Sequence, residues 1–465
     1  MTQPVFSAPV FGDREFGTSH ARAAVTGRVI EPGDADYDDA RQVFNAGVDR
    51  RPAVIVQPAD AADVAAVVAL AREHELELAV RGGGHGMAGH GTTETGIVLD
   101  LSAMRDLVID VESRTAWAQA GVTAGQYTLA AAEHGLATGF GDTPSVGISG
   151  LTLGGGIGWL VRKHGMTIDD LLAVELVTAD GRLLHADAQT HTELFWALRG
   201  GGGNFGVVTR LQYRLHEVDT VLGGMLILPA SPTALRSFVT IADEAPDEMS
   251  TIVHIGAAPP LPMIPTEHHG KRVMMILVVH AGDVEEGERL VVQIRALAPA
   301  LVDDVKPMPY TGMYEEDGPP RAPMTVRSTF LDELDEHATA TIFEQLDAAP
   351  TPIAVAQIRV LGGAMGRIAP DATAFAHRDR RMLVTIAAAS PGPGDRAERE
   401  TWADGFLAAL RPAASGAFIS FMVDEGQDRV REAFPPGTYE RLLSVKRQYD
   451  PTNLFRLNQN VTPDG

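Results

Sequence analysis

Arg81-Gly82-Gly83-Gly84-His85-Gly86-Met87-Ala88-Gly89-His90-Gly91 is the stretch on which the reading of this chain turns. Three consecutive glycines leave a backbone without side chains and with access to positive φ. Such a backbone can turn its N–H groups onto a phosphate without help from a basic side chain. His85 follows at once, a nucleophilic ring held against whatever the loop binds. Bare backbone returns in TPSVGISGLTLGGGIGW (Thr143–Trp159) and in RGGGGNFG (Arg199–Gly206). The chain closes on YDPTNLFRLNQNV (Tyr449–Val461) and four further residues. Together these stretches point to a large phosphate-bearing cofactor.

Gly84 to Gly89 also spells G-x-G-x-x-G after an apolar strand, the fingerprint of a nicotinamide-binding fold. That fingerprint requires a helix next, with its N-terminus on the pyrophosphate, then an acidic residue about 20 positions on. Here the glycines run through Gly91–Gly96 straight into Ile97–Leu101, which reads as a strand. Gly201–Gly206 fits the same spacing and also leads into a strand, Val207–Leu215. Both copies lack their context, and Rossmann binding is rejected.

Four motifs in order now carry a family resemblance: the glycine loop with His85, Thr143–Gly158, Gly200–Gly203 before Asn204-Phe205-Gly206, and the terminal DPTNLFRLNQN. The chain resembles flavoproteins of the vanillyl-alcohol oxidase/p-cresol methylhydroxylase superfamily, in the berberine-bridge-enzyme-like branch, over about Arg51–Leu215 and Val355–Val461. The resemblance implies FAD bonded through its 8α-methyl carbon to His85. A second bond, where relatives have one, comes from a cysteine just before the Pro-x-Val that matches Pro144-Ser145-Val146. Here that place is Thr143, and the chain has no cysteine at all. A single histidyl attachment is therefore expected.

The implied cofactor-binding set is His85, Arg81, Gly82, Gly83, Gly84, Gly86, His90, Thr143, Val146, Gly147, Gly150, Gly154, Gly155, Gly156, Gly158, Val207, Asn458 and Asn460. Glycines 82–84 and 154–156 are expected to hold the pyrophosphate and the ring edge; the alternative is tight turns that pack two elements together. Arg81 and Arg199 border two loops as phosphate partners or as structural cations. His90 approaches the flavin or simply bonds the loop. Val146 matches the position that gates oxygen in plant members of the branch, where valine goes with oxidases; the plainer reading is an ordinary buried valine. Asn458 and Asn460 match residues near the pyrimidine edge of the flavin, where asparagine offers both donor and acceptor.

The chain departs from the family at Phe418-Ile419-Ser420, where several relatives carry Tyr-x-Asn. Phenylalanine takes no proton, so another group must act or none is needed. Tyr310, Tyr314, His254 and Arg359 are the candidates, each with a structural alternative. Glu267-His268-His269 is read as a solvent-facing loop, and no metal is expected.

Composition sets outer bounds. With 465 residues the chain exceeds the usual single core, so more than one domain is expected. The formal charge of −23 disfavours nucleic acid and anionic membranes as partners. The first residues have no basic segment followed by an apolar core, so no secretory signal is read and a cytoplasmic location is expected. No apolar run approaches a membrane span.

Along the chain, Ala53–Gln57 reads as a strand, Asp60 opens a helix in a capping-box-like arrangement with Asp63, and Leu76–Val80 alternates as a strand. Further strands are expected at Leu107–Asp110 and Thr115–Ala118. Thr123 caps a helix that Gly135 ends. Asp180-Gly181 predicts a hairpin pairing Glu175–Thr178 with Arg182–His185. Beyond Val218 come strands Gly224–Leu228, Thr251–Ile255 and Val273–Val279 and helices Glu285–Leu297 and Leu331–Leu346. Proline-rich joints at Pro259–Pro265, Pro307–Pro309 and Pro319–Pro323 interrupt them. Tyr439–Gln448 reads as a helix stopped by Asp450-Pro451. The fold class expected is α+β: a two-lobed, discontinuous FAD-binding domain of the p-cresol methylhydroxylase type (1–218, core about 51–218), an antiparallel-sheet substrate domain backed by helices (219–416), and a C-terminal berberine-bridge-like segment (417–465) that returns to the first domain.

The expected activity is an oxidase that takes hydride from a small or medium organic substrate (an alcohol, phenol or polyketide-type metabolite) and passes electrons to O₂, giving hydrogen peroxide. A carbohydrate oxidase, a dehydrogenase with another electron acceptor and a flavin-binding protein without turnover are the rivals. The sequence carries no signal of oligomeric state.

Overall fold

The computed structural model describes residues 18–314, 321–390 and 395–464. The first 17 residues, read above for a signal, lie outside it, as does part of the Pro319–Pro323 joint.

Three large sheets, with a two-stranded pair of Leu136–Ala137 and His216–Glu217, organise the described chain. The first has the order Arg28–Ile30, Val54–Gln57, Ile97–Asp100, Leu78–Arg81, with the last three strands parallel. Val54, Val56, Leu78, Ile97 and Leu99 bury one face of it under the helix Ala61–Glu73, which contributes Val64, Val67, Val68 and Ala71. Each fully buried valine on that helix stabilises the pair by about 2 kcal/mol. Asp60 caps the helix by accepting from the N–H groups of Ala62 and Asp63. The expected reciprocal bond from Asp63 is absent, because its carboxylate accepts instead from the N–H groups of Thr26, Gly27 and Ala59 and so ties the Arg28–Ile30 strand down.

The second sheet is wholly antiparallel: Leu107–Asp110, Thr115–Gln119, Val207–Arg214, Leu171–Val177, Leu183–Asp187. The Asp180-Gly181 hairpin forms in the expected register, with Glu175 opposite His185 and Gly181 at φ +84°. Thr123 and Gln126 complete a capping box on the helix Ala124–Ala132.

The third sheet has nine strands. Its path is Val302–Asp303, Thr220–Pro229, Arg272–His280, Met249–Ala257, Ile353–Val360, Met382–Ala389, Met324–Leu331, Ala414–Ser415, with Lys306–Pro309 also on Thr220–Pro229. Val253, Ile255, Ile276, Ile358, Val384 and Ile386 project from one face onto the helices Pro232–Glu244, Val284–Arg295, Glu336–Asp347 and Arg396–Leu410. The alternate residues Leu383 and Phe330 project from the other face and pack with Ile157, Val161, Met166 and Phe418.

Two expectations are corrected here. Residue Leu331 ends a strand, Met324–Leu331, and the helix begins only at Glu336, capped by Asp335. The β-branched Thr325, Val326 and Thr329 favour strand, and the cap decides where the helix starts. Pro307–Pro309 is not a joint but lies in an edge strand, where a residue without an N–H is tolerated.

Candidate active site

Leu78–Arg81 delivers the chain into the glycine loop. A Cβ on Gly83 would lie 2.2 Å from the backbone nitrogen of Gly147, and one on Gly147 would lie 2.3 Å from that of Gly83. The His85 loop and the Val146 loop thus touch backbone to backbone, which only glycine permits. Among the described residues, the N–H groups of Gly82, Gly83, Gly84 and Gly86 have no hydrogen-bond acceptor, and neither do those of Ser149 and Gly150. Gly83, Gly86 and Gly150 are exposed. His85 is half-buried, its ring stacked on Phe44 at 4.5 Å between centroids. Burial lowers the His90 imidazole to about 4, with Asp424 opposing the shift and Arg50 adding to it.

Arg81 takes the structural of its two readings. It is buried, paired with Asp100 at 3.0 Å, and donates to the carbonyls of Ala40 and Gln42. Arg199 donates to the carbonyls of Phe195 and Ala372.

Glycines 154, 155, 156 and 158 are buried against protein atoms rather than beside open space. A Cβ at Gly154 would strike Ser420, at Gly155 Met166, at Gly156 Thr167, and at Gly158 the backbone of Phe140. The N–H groups of Gly154 and Gly155 already donate to the carbonyls of Gly150 and Thr152. Close packing accounts for these contacts, but the N–H groups of Gly156 and Gly158, like those of Gly82–Gly84, Gly86, Ser149 and Gly150, have no backbone acceptor.

Val146 is half-buried, and its carbonyl accepts from Ala124 N–H. Thr143 donates through Oγ1 to Asp142 at 3.1 Å. Val207 buries its side chain with Val177, Leu454 and Phe455, so only its backbone is available to a ligand.

The tail reaches the Gly200–Gly203 run through Asn204. Its Nδ2 donates to the carbonyls of Gly201 and Gln459, and its Oδ1 accepts from Val461 N–H. Lys446 and Asp450, both fully buried, pair at 2.7 Å. Lys446 also donates to the carbonyls of Asn204 and Phe455, and Asp450 accepts from the N–H groups of Leu454 and Phe455. Burial lowers the Lys446 pKa, and Asp450 opposes that shift. The Oδ1 atoms of Asn458 and Asn460 and the Oγ of Ser420 are buried without a protein partner. A buried polar atom left unpaired costs free energy, so these atoms fit a bound group that supplies their hydrogen bonds. Together with the unpaired loop N–H groups they fit a flavin dinucleotide.

The third sheet meets this region through Arg359, which donates to Asp142 at 2.5 Å and lies 5.4 Å from the Phe421 ring centre. Arg359 Nε also donates to Gln357 Oε1 at 3.0 Å, and Gln357 Nε2 lies 2.6 Å from His254 Nε2. Burial alone would raise the Asp142 carboxyl, but Arg359, Thr143 and His254 outweigh it and leave the pKa lowered. Tyr310 and Tyr314 lie beside these groups, against the Phe140–Gly141 backbone that leads into Asp142. Tyr310 OH contacts Tyr314 OH at 3.1 Å, and Tyr314 OH donates to the carbonyls of Phe140 and Gly141. Burial raises both phenols further above the physiological range. Neither tyrosine is placed to take a proton, which corrects their candidacy as bases. Phe418 is buried with its ring 5.9 Å from Phe375, and its N–H donates to Ser328 Oγ. His269 bonds the Ile264 carbonyl.

Asp142, Gln357 and Lys446 escaped the sequence reading, and Asn204 entered it only as part of a motif. Two had a faint signal: Asp142 directly precedes Thr143, and Gln357 shares a strand face with Arg359.

Comparison with known proteins places the chain in a family. A family model described as FAD binding domain matches residues 52–187, and one described as berberine and berberine like matches 417–462. The (R)-6-hydroxynicotine oxidase of Paenarthrobacter nicotinovorans is 30% identical over 455 residues, covering 95% of this chain and 98% of that protein. The crystal structure of 6-hydroxy-D-nicotine oxidase from Arthrobacter nicotinovorans superposes with a TM-score of 0.84 at 29% identity, covering 94% of this chain and 98% of that one. Xylooligosaccharide oxidase from Myceliophthora thermophila shares the fold, with a TM-score of 0.84 at 23% identity over 96% and 98% of the two chains. No helix among the described residues is long and apolar enough to cross a membrane. The chain is an FAD-linked oxidoreductase and belongs to the berberine-bridge-enzyme-like branch of the vanillyl-alcohol oxidase/p-cresol methylhydroxylase superfamily.

Proposed function

We propose that this protein is an oxidase of a small or medium organic molecule, with FAD attached once, through His85, and O₂ as the electron acceptor. The observation that carries this is the contact of two loops: the exposed, unpaired backbone beside His85 touches the loop that holds Val146. Bound there, FAD supplies the acceptor for a hydride from a substrate C–H bond and returns the electrons to O₂ as hydrogen peroxide. The N–H groups of Gly82–Gly84, Gly86, Ser149 and Gly150 offset phosphate charge, and Asn458 and Asn460 offer their unpaired oxygens to the ring edge. Val146, a small side chain, leaves room for O₂. The division into a cofactor part (1–218 with 417–465) and a substrate part (219–416) follows from this assignment.

The substrate wall is the part of the third sheet around His254 and Gln357, on the face opposite its four helices. Leu277, Val355 and Ala387 are half-buried there around His254 and Gln357, since residues two apart on a strand, and their cross-strand partners, share a face. That wall suits a largely apolar molecule with few polar groups, in keeping with the hydroxynicotine of the similar oxidases, more than a sugar chain.

The test is acid precipitation. The wild-type pellet stays yellow, whereas His85→Ala releases its flavin on precipitation yet binds some of it before. A His85→Ala protein that keeps its flavin in acid moves the attachment elsewhere. A panel of amines, phenols, alcohols and cello-oligosaccharides, read by peroxide release and flavin bleaching, then decides the substrate class. Bleaching without peroxide in air indicates a dehydrogenase.

A further inference from the structure

His254 lies on Met249–Ala257 directly opposite Gln357 on Ile353–Val360, and Arg359 is two residues along that second strand. Two strands therefore bring the three side chains to one face. Their hydrogen bonds have only one consistent direction. A guanidinium has donors and no acceptor, so the Gln357 atom 3.0 Å from Arg359 Nε is the amide oxygen. The other end of Gln357 is then its NH₂ group, which only donates. The His254 Nε2 at 2.6 Å from it must accept, and that nitrogen carries no proton. A neutral imidazole has one N–H, so the proton of His254 sits on Nδ1. Asp142 fixes the far end of the chain by accepting from Arg359 NH2 at 2.5 Å.

We propose that the chain Asp142–Arg359–Gln357–His254 locks His254 as a neutral Nδ1–H donor that orients the substrate by its hydrogen-bond acceptor. This rests on the oxidase reading above and deepens it. Nδ1 has no protein partner among the described residues, and the ring is half-buried on the substrate wall. Its one lone pair is taken by Gln357, so His254 is a positioning residue and not the base that the sequence suggested. Burial supports the neutral form, lowering the imidazole to about 4, with Arg359 adding to the shift and Asp142 opposing it. The group it recognises is an uncharged acceptor, such as a ring nitrogen or a carbonyl oxygen, on an otherwise apolar molecule. An ammonium or other donor-only group is excluded at this point, because it would face an N–H.

The first test does not depend on turnover. In holoenzyme labelled with ¹⁵N-histidine, long-range ¹H–¹⁵N correlation assigns the tautomer, with His254→Gln identifying the signal. Nδ1–H that does not titrate between about pH 5 and pH 8 is expected. An Nε2–H tautomer, or a titration in that range, overturns the lock. Gln357→Glu replaces the donor by an acceptor and should switch His254 to Nε2–H; an unchanged tautomer there also overturns it.

The second test reads recognition through perturbation of the flavin absorbance by two probes, nicotine and N-methyl-2-phenylpyrrolidine, which differ in one ring nitrogen. The wild type should bind nicotine about tenfold more tightly, the ratio that one neutral hydrogen bond supports. His254→Leu should bring the two affinities together, while His254→Gln, which keeps a donor, should retain part of the preference. Equal binding by the wild type, binding of neither probe, or a preference that survives in His254→Leu overturns the recognition. Failure of the oxidase reading shows separately, as an acid-labile flavin or absence of peroxide with the tautomer intact.

Discussion

Replacing Lys446 by methionine should be among the most damaging single changes in the molecule. Lys446 is fully buried and gives its three protons to Asp450, the Asn204 carbonyl and the Phe455 carbonyl, at 2.7, 2.9 and 2.9 Å. Methionine matches the length of the stem and keeps the packing, so the loss is that of charge and hydrogen bonds. Removing one partner of a buried ion pair costs about 3–5 kcal/mol, because the other charge stays buried and uncompensated. Here the Asp450 carboxylate keeps only the N–H groups of Leu454 and Phe455. Adding Asp450→Asn removes that stranded charge but keeps an acceptor for only one of the two N–H groups, its NH₂ facing the other, and should restore at most about 1 kcal/mol. As a control, Arg396→Ala breaks a solvent-exposed pair with Glu400 and should cost about 0–1 kcal/mol. Urea titrations followed by tryptophan fluorescence supply the free energies. Flavin content per chain supplies a second readout, since Lys446 anchors the segment that carries Asn458 and Asn460. A Lys446→Met protein within about 1 kcal/mol of wild type, with full flavin content, would refute the argument.

Two further outcomes are expected. Val146→Leu should slow reoxidation of the reduced flavin by O₂ far more than reduction by substrate; stopped-flow traces with equal effects on both half-reactions sink the gate. His164 stacks on His216 at 3.7 Å, its Nε2 is buried without a partner, and burial, His216 and Lys163 lower its pKa to about 3. The native state thus resists a proton that the unfolded chain accepts below its ordinary 6.5, so this contribution to stability is full above 6.5 and is lost as pH falls toward 3. His164→Phe keeps the stack and should flatten the loss of melting temperature across that window. Parallel curves for variant and wild type would assign the acid sensitivity to other groups.

Much of the cofactor side was legible because it is local. A glycine run entering a strand at Ile97 rather than a helix separates this fold from a Rossmann fold within about 20 residues. The Asp180-Gly181 turn sets its own register, and Thr123 with Gln126 caps its own helix. The absence of cysteine settles by itself that no cysteinyl bond to the flavin can form.

The roles of individual side chains were decided elsewhere. Arg359 and Asp142 are 217 positions apart, and nothing in either neighbourhood marks them as partners; two sheets had to fold and meet first. Arg81 borders a phosphate-type loop in sequence, yet Asp100, brought alongside by parallel strand pairing, claims its charge. Glycines 154–156 share the composition of glycines 82–84, but they pack against Ser420, Met166 and Thr167, whereas Gly82 and Gly83 pack against Ser149 and Gly147 and Gly86 faces open space. Tyr314 and His254 illustrate the same division. Residue type states which protons a side chain can give or take. Only the tertiary structure, by choosing its neighbours and its distance from water, decides which of them it does.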